Sequence, residues 1–146
     1  MDDLVETIMK GKPETVDPNV TVSKAATIFA KRQERCLVVA RDGIVVGIVT
    51  ASDIIEKVTA TGANPSEVFL RDIMSTPVVT AKPSDSVGVA ARAMSDYRIG
   101  RLPVLDESGG LVGLVTHLEI SRWAAKQSGA EAEPLPEEKK DESPYQ

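Results

Sequence analysis

Two short stretches of the chain carry a glycine, a threonine and a carboxylate where an apolar run gives way to a polar one. One runs from Gly47 to Asp53 as Gly-Ile-Val-Thr-Ala-Ser-Asp, and the other from Gly113 to Glu119 as Gly-Leu-Val-Thr-His-Leu-Glu. If a helix begins there, the hydroxyl and the free N–H groups of its first turn favour a phosphate. A carboxylate three residues later can accept hydrogen bonds from ribose hydroxyls, and the glycine would let a ligand approach the backbone. The spacing suits a nucleotide.

The same spacing is also that of a helix cap. In a capping box, the threonine accepts a hydrogen bond from the amide three residues on, and the acid at that position reaches back to the threonine N–H. Glutamate is the usual acid of this box, so Thr116 and Glu119 fit a cap at least as well as a binding site. Spacing alone favours the cap at both junctions, and the two interpretations stay open.

Nucleophilic and metal chemistry have few candidate residues. The chain has one histidine, His117, and one cysteine, Cys36, which stands in a predicted strand. A nucleophile needs a neighbouring base, and Cys36 is better explained as a small buried hydrophobe. One cysteine excludes a disulfide framework, and one cysteine with one histidine is too few for a zinc or iron centre within one chain. We expect no enzymatic activity and no metal site.

Composition and charge limit the class of protein further. The 146 residues include 17 Lys and Arg against 22 Asp and Glu, a net charge of −5 that disfavours nonspecific nucleic-acid binding. No apolar run approaches the roughly 20 residues that span a bilayer, and the acidic N-terminus is unlike a signal peptide. We expect a soluble cytoplasmic protein. Residues 131–146 carry −4 of the charge and three prolines, so we expect residues 128–146 to form an acidic disordered tail.

The rest of the chain is a tandem duplication. An offset of 65 residues, which becomes 66 after one inserted residue, matches 14 of the 47 positions from Ile8 to Ile54 with the second half of the chain. Average residue usage would give roughly one identity in fifteen. The matches include the Ile-Met pairs at 8–9 and 73–74 and the Gly-x-Val-Thr runs at 47–50 and 113–116.

Each copy has the periodicity of a β-α-β-β-α unit. In copy one we expect strands over 14–16, 36–40 and 44–49 and helices over 23–34 and about 51–58, with Asp42-Gly43 as a hairpin turn. In copy two the corresponding ranges are 78–80, 102–105 and 111–115 for strands and 86–97 and about 117–125 for helices. Helices over 2–9 and 66–74 are expected to lead into the two copies.

These elements predict an α/β (α+β) fold. One copy alone has too little sheet to be stable, so we expect the two sheets to face each other around a pseudo-twofold axis and share one aliphatic core. The expected domains are residues 1–65 for the first repeat with its N-terminal helix and linker, 66–127 for the second repeat, and 128–146 for the tail.

The chain resembles a tandem pair of CBS (cystathionine β-synthase) domains, a Bateman module. The resemblance covers residues 4 to about 125 and is carried by the duplicated unit, the Ile-Met pairs, Arg-Leu-Pro-Val at 101–104 and the Gly-h-h-Thr-x-x-Asp run. It implies a regulatory module without catalysis that binds AMP, ADP or ATP, sometimes S-adenosylmethionine, in the cleft between the repeats. It also implies a homodimer.

The resemblance assigns roles to individual residues. Thr50 and Asp53 match the phosphate and ribose positions, Thr116 matches as well, and Glu119 departs from the aspartate of the motif. Arg101 matches a phosphate-binding position; the residue before it, often histidine in the family, is Gly100 here, and Arg35 could compensate. The base pocket is expected at Thr15, Val16, Pro18, Thr80, Ala81 and Pro83. The remaining candidates beside these positions are Cys36, Leu37, Ser52, Leu102, Pro103 and His117.

The function expected from these observations is adenine-nucleotide sensing, in which the ligand shifts the population between two arrangements of the copies. The output would pass to an unknown effector protein. The alternatives are an S-adenosylmethionine-binding module, a structural or oligomerisation protein with empty clefts, and a nucleic-acid-binding protein, which the charge disfavours.

Overall fold

The computed structural model of the protein describes residues 3–33 and 35–129, which form two small sheets with helices packed on them. Copy one contains β1 (Thr15–Val16), α1 (Val22–Arg32), β2 (Cys36–Arg41), β3 (Ile44–Thr50) and α2 (Ala51–Ile54). Copy two contains α3 (Leu70–Ile73), α4 (Val87–Tyr97), β4 (Arg101–Leu105), β5 (Leu111–Thr116) and α5 (His117–Gln127). The predicted α/β class is confirmed. The predicted tail lies outside the described residues from 130 onwards.

Local signals in the sequence account for most element boundaries. The Thr21 hydroxyl accepts from Lys24 N–H at the start of α1, and the Ser86 hydroxyl accepts from Val89 N–H at the start of α4. Both helices end at a residue in the left-handed region, Gln33 and Arg98. The predicted turn between β2 and β3 is confirmed, because Asp42 and Gly43 have φ of 52° and 80°, as a two-residue hairpin turn of this type requires.

The longer hairpin loop of copy two is organised by Asp106. Its Oδ1 accepts hydrogen bonds from the Ser108 N–H and hydroxyl and from the Gly110 N–H. The Ser108 hydroxyl and then the Gly110 N–H lower the pKa of this carboxyl. The loop, which has five residues against two in copy one, therefore has its own hydrogen-bond framework.

The sheets differ in their first strand. β1 pairs in parallel with β2, which pairs antiparallel with β3. In copy two, β4 and β5 pair antiparallel, but the expected strand over 78–80 is replaced by a single bridge between Ala81 and Val104. That expectation was wrong: Pro103 stands where copy one has Val38, the partner of Thr15 in β1, and a proline has no N–H to donate to the 78–80 segment. Pairing with β4 therefore starts only at Ala81.

The segments that lead into the two copies, residues 3–9 and 66–74, pack against the opposite copy. The N–H groups of Val5 and Val87 donate to the carbonyls of Asp85 and Asp3, each at 2.8 Å. In the same way, Val22 N–H donates to Val68 O at 2.8 Å, and Leu70 N–H to Val20 O at 2.9 Å. These exchanges use backbone donors that a continuous helix would need, so the two predicted helices are wrong: only Val5–Thr7, as a 3-10 turn, and Leu70–Ile73 are helical.

The apolar interior is divided into three clusters rather than the single shared core that was expected. The copy-one cluster includes Leu37, Val39, Leu70 and Ile73, and the copy-two cluster includes Val5, Leu102 and Val115. The third cluster joins the sheets and contains Cys36, Val38, Leu111 and Leu114. The division follows from strand geometry, because neighbouring residues of a strand point to opposite faces of the sheet.

The helix that closes copy one also departs from the prediction. The expected helix over about 51–58 is α-helical only from Ala51 to Ile54 and continues as a π-helical turn over Ile55–Thr59. The wider turn still buries Val58, which is 1% exposed. Among the described residues, no helix has the length and apolar character that crossing a membrane requires.

Candidate functional site

Both strand-to-helix junctions form helix caps. In copy one, Asp53 N–H donates to the Thr50 hydroxyl, and Asp53 Oδ2 accepts from Thr50 N–H at 2.8 Å. In copy two, Glu119 Oε1 accepts from the N–H and the hydroxyl of Thr116 at 2.7 and 2.8 Å. The capping interpretation is thus correct as a description of local structure. Whether the same groups also face a cavity is a separate question.

At the copy-one junction the cap residues do face a cavity, which we call the small cleft. It has a volume of about 220 Å³ and lies between the copies. Copy one contributes Thr50, Asp53 and Ile48 to its lining. Copy two contributes Ser75, Pro77, Val78, Val79, Arg98, Ile99, Gly100 and Arg101. The small cleft thus combines an apolar wall, a carboxylate and two arginines.

The Asp53 carboxylate is partly committed within the protein. Its Oδ2 serves the cap, and its Oδ1 lies 3.2 Å from Lys57 Nζ. The side chain is 14% exposed, so part of the carboxylate remains accessible. A carboxylate has about four lone-pair sites, of which the Thr50 N–H, the Thr50 hydroxyl and Lys57 occupy three, so one remains for a ligand hydroxyl without breaking the cap.

At the copy-two junction lies a wider cavity, the large cleft, of about 530 Å³. Thr116, His117, Leu114 and Leu118 line it from copy two, with Gly100 and Arg101. Lys10, which is bridged to Leu114, adds to this wall, and copy one contributes Arg32, Gln33, Arg35 and Cys36. Four side chains of the whole lining are cationic, those of Lys10, Arg32, Arg35 and Arg101, and none is acidic. Glu14 neutralises part of this charge through its 2.6 Å ion pair with Arg32.

The two clefts are equivalent positions of the duplication that have diverged in charge. Thr50 of the small cleft corresponds to Thr116 of the large one, and Ser75 corresponds to Lys10. Gly100 corresponds to Arg35, and these two exchanges place a cation only in the large cleft, whereas Arg98 of the small cleft corresponds to Gln33 of the large one. Arg101 and Gly100 line both clefts. Beside Gly100, the His117 ring lies 3.3 Å from the place where a Cβ would stand.

The structure brings seven of the predicted site residues to the clefts and leaves eleven away from their linings. Thr50, Asp53 and Arg101 line the small cleft; Arg35, Cys36, Arg101, Thr116 and His117 line the large one. Exposed outside the linings are Thr15, Ser52 and Thr80, and buried outside them are Val16, Pro18, Leu37, Ala81, Leu102 and Pro103. Pro83 is half-buried, and Glu119 lines a third cavity.

None of the residues predicted for the base pocket lines either cleft. Val78 and Val79 line the small cleft in place of Thr80 and Ala81, because Ala81 is held by its bridge to β4. These two apolar residues after Pro77 are visible in the sequence, where they also predict the strand over 78–80. The other cleft residues that the sequence analysis missed are Lys10, Arg32, Gln33, Ile48, Ser75, Pro77, Arg98, Ile99, Leu114 and Leu118.

The glycines of the two junctions have a different role from the one expected. A Cβ at Gly113 would lie 2.5 Å from Met9 Sδ and 2.7 Å from Lys10 O, and a Cβ at Gly47 would overlap the side chain of Met74. The residues that approach these glycines are therefore methionines of the lead segments, not a ligand. This also explains why the Ile-Met pairs and the glycines repeat together.

Comparison with known proteins places this architecture in one family. The family model "CBS domain" matches residues 5–60 and 70–126. The chain belongs to the CBS domain family. A CBS domain-containing protein of Bacillus subtilis, YhcV, is 29% identical over 128 residues, which cover 86% of this chain and 90% of that protein.

Other similar proteins are longer or are known with ligands. An uncharacterised protein of Methanopyrus kandleri is 45% identical over 75 residues, 51% of this chain and 38% of that protein. Several further relatives are enzymes, of which the chain covers only 22% to 24%. The solved CBS domain pair of protein MJ0100, in complex with 5′-methylthioadenosine and S-adenosylmethionine, is 32% identical, with a TM-score of 0.75 over 87% of this chain and 99% of that one. CBS pairs are regulatory ligand-binding domains, and this chain has their fold.

Proposed function

We propose that the protein is a non-catalytic sensor that binds an adenine nucleotide, AMP, ADP or ATP, between its two CBS copies. The observation that carries the proposal is the small cleft, in which Thr50 and Asp53 of copy one lie opposite Val78 and Val79 of copy two. A ligand there touches both copies, so binding favours the arrangement of the copies in which both walls are in place.

The chemistry of the two clefts fits the parts of a nucleotide. The adenine packs on Val78, Val79 and Ile99, and the ribose hydroxyls donate to Asp53. The phosphates extend towards Arg101, which lines both clefts, and from there towards the cations of the large cleft. Arginine is suited to this role because its planar guanidinium can bind a phosphate through two hydrogen bonds.

S-adenosylmethionine is the second candidate. It has the same adenosine but no phosphate, so it would use the apolar wall and the carboxylate of the small cleft without the cations of the large one. The MJ0100 domain pair with its two adenosine ligands supports this alternative. The two candidates differ in the anion they could place on Arg101, which is a phosphate for the nucleotide and only the methionine carboxylate for S-adenosylmethionine.

Calorimetric titration with ATP, ADP, AMP, adenosine and S-adenosylmethionine tests the proposal. We expect saturable binding of at least one nucleotide. At roughly a hundred times its Kd, that nucleotide should raise the free energy of unfolding by about 2.7 kcal/mol. If only S-adenosylmethionine binds, the second candidate replaces the first. If every titration is flat, the clefts have only a structural role.

The variant Asp53→Ala removes both the proposed ribose contact and a cap. Its matched control, Asp72→Ala, removes a cap alone. Asp72 caps α3 through a 2.9 Å hydrogen bond from Phe69 N–H and lines neither cleft. Each variant loses the acid of a four-residue helix, so both should lose roughly 0.5–2 kcal/mol of stability. Only Asp53→Ala should lose nucleotide affinity; equal affinities for both variants would contradict the proposed ribose contact.

The proposal includes a homodimer and an effector protein, both of which follow from the resemblance to the family. Sedimentation equilibrium of the protein with and without nucleotide measures the oligomeric state. A monomer under both conditions would remove the homodimer from the proposal without affecting the ligand.

A further inference from the structure

A third cavity lies on the far side of α5, between that helix and the N-terminal lead segment; we call it the outer groove. Its volume is about 450 Å³, and its lining includes Ile8, Glu119, Arg122, Trp123 and Lys126. None of these residues lines either cleft between the copies. Asp3 lines it as well, so the outer groove is a separate cavity with two carboxylates, two cations and an apolar wall.

The carboxylate of Glu119 is unusual because one of its oxygens is buried without a partner. The residue is 7% exposed, and Oε1 is held by the N–H and the hydroxyl of Thr116. Oε2 has almost no exposed surface, and no group of the described residues donates a hydrogen bond to it. Buried polar atoms are nearly always hydrogen-bonded, so this oxygen marks a position that lacks a donor.

Copy one shows which kind of donor fits such a position. Asp53, the equivalent of Glu119, has its second oxygen 3.2 Å from the Lys57 ammonium, which also donates to Ile73 O at 2.8 Å. The equivalent of Lys57 in copy two is Trp123, whose indole N–H donates to Asp3 instead, at 2.7 Å. The duplication thus kept the buried acid in copy two and replaced its ammonium with an indole.

The two cations of the outer groove lie one helical turn apart on α5. Arg122 and Lys126 are both exposed, and neither forms an ion pair within residues 3–33 and 35–129. A ligand that carries an ammonium and a carboxylate would complement both ends of the groove. An apolar group between them would pack on Ile8 and Trp123.

We propose that the outer groove binds a small apolar α-amino acid. The ammonium group of the ligand binds Glu119 Oε2, where copy one has its own lysine, and the ligand carboxylate binds Arg122 and Lys126. Because Oε2 has almost no exposed surface, side chains around it must move as the ammonium reaches it. The site is independent of the nucleotide proposed for the clefts.

Titration with L-leucine, followed by tryptophan fluorescence, tests the proposal on the whole chain. Trp123 is the one tryptophan of the sequence, so its emission reports on the outer groove. We expect a saturable change with L-leucine, a weaker response to 3-methylbutylamine, which lacks the carboxylate, and none to N-acetyl-L-leucine, which lacks the ammonium. No saturable change with L-leucine, or equal affinity for N-acetyl-L-leucine, overturns the proposal.

Two variants tie the signal to Glu119. Glu119→Gln keeps a residue that functions in a capping box but removes the charge, and it should weaken leucine binding roughly ten- to hundredfold, the scale of a hydrogen bond to a charged group. Asp72→Asn is the control, because it makes the same change at a cap outside the groove. Unchanged leucine affinity in Glu119→Gln contradicts the assignment.

Trp123→Lys restores the pattern of copy one and should block the site with an internal ammonium. Calorimetry replaces fluorescence for this variant, because the tryptophan is gone. Loss of leucine binding in a folded Trp123→Lys protein supports the proposal even if Glu119→Gln fails to fold. Leucine binding at the parent affinity refutes it.

Discussion

At the scale of single residues, a helix cap and a candidate ligand contact coincide. Thr50 and Asp53 satisfy each other as a capping box and still line the small cleft, whereas Glu119 caps α5 and lines the outer groove. The two acids differ by one methylene group, and Lys57 of copy one corresponds to Trp123 of copy two. Sequence spacing could not distinguish the two roles, because both need a threonine followed three residues later by an acid.

The junction glycines give a prediction at the same scale. Gly113→Ala should lower the free energy of unfolding by about 1–3 kcal/mol, because the new methyl group meets the backbone carbonyl of Lys10 as well as Met9. Gly47→Ala should cost less, since all the atoms it meets belong to the flexible side chain of Met74. Urea denaturation measures both. Gly11→Ala, with nothing within 4 Å of the new methyl group, is the control.

At the scale of elements, the lead segments connect the copies. Residues 3–9 complete the core of copy two, and residues 66–74 complete that of copy one. The expected domain boundary at residue 65 therefore stays a prediction, which describes the duplicated sequence. The packed units differ from it, because each copy packs with the lead segment of the other copy. Periodicity predicted helices there, and the exchange of backbone hydrogen bonds with the opposite copy prevented them.

Leu70→Ala tests this exchange. Leu70 is fully buried in the copy-one cluster although it follows copy one in the sequence. We expect a loss of roughly 2–5 kcal/mol in the free energy of unfolding, as for other large-to-small core substitutions. Ile44→Ala, at a position that is 65% exposed, should change stability by less than about 0.5 kcal/mol. A loss no larger than that of the control would show that the lead segment contributes little to the core.

At the scale of the whole molecule, the duplication has produced two unequal clefts. The exchange of Ser75 for Lys10 and of Gly100 for Arg35 concentrates cations in the large cleft. A net charge of −5 for the chain is therefore compatible with a locally cationic cleft that attracts an anionic ligand. The net charge did not reveal this cationic cleft, because it is a sum over the chain and does not show which separate cations meet in the fold.

Arg101→Ala gives the prediction for the whole molecule. Because Arg101 lines both clefts, its loss should weaken ATP binding roughly ten- to hundredfold while affecting adenosine much less. Arg92→Ala is the matched control, since Arg92 is paired with Asp96 on the surface of α4 and lines neither cleft. Titrations of each variant with ATP and adenosine measure the ratio of the two affinities. An equal loss for the two ligands would remove Arg101 from the phosphate site.

The sequence by itself determined the duplication, the hairpin at Asp42-Gly43, the caps and the class of fold, because these depend on neighbours within a few residues or on a repeated pattern. It also predicted Thr50, Asp53 and Arg101 as cleft residues, through their motifs. The tertiary structure alone decided that Val78 and Val79, rather than Thr80 and Ala81, line the small cleft. It also decided that each lead segment packs against the opposite copy, that Lys10 faces the large cleft and that Glu119 is buried with one oxygen unpaired. The physical reason is the same in each case: these outcomes depend on groups that are distant in sequence and meet only when the two copies pack together.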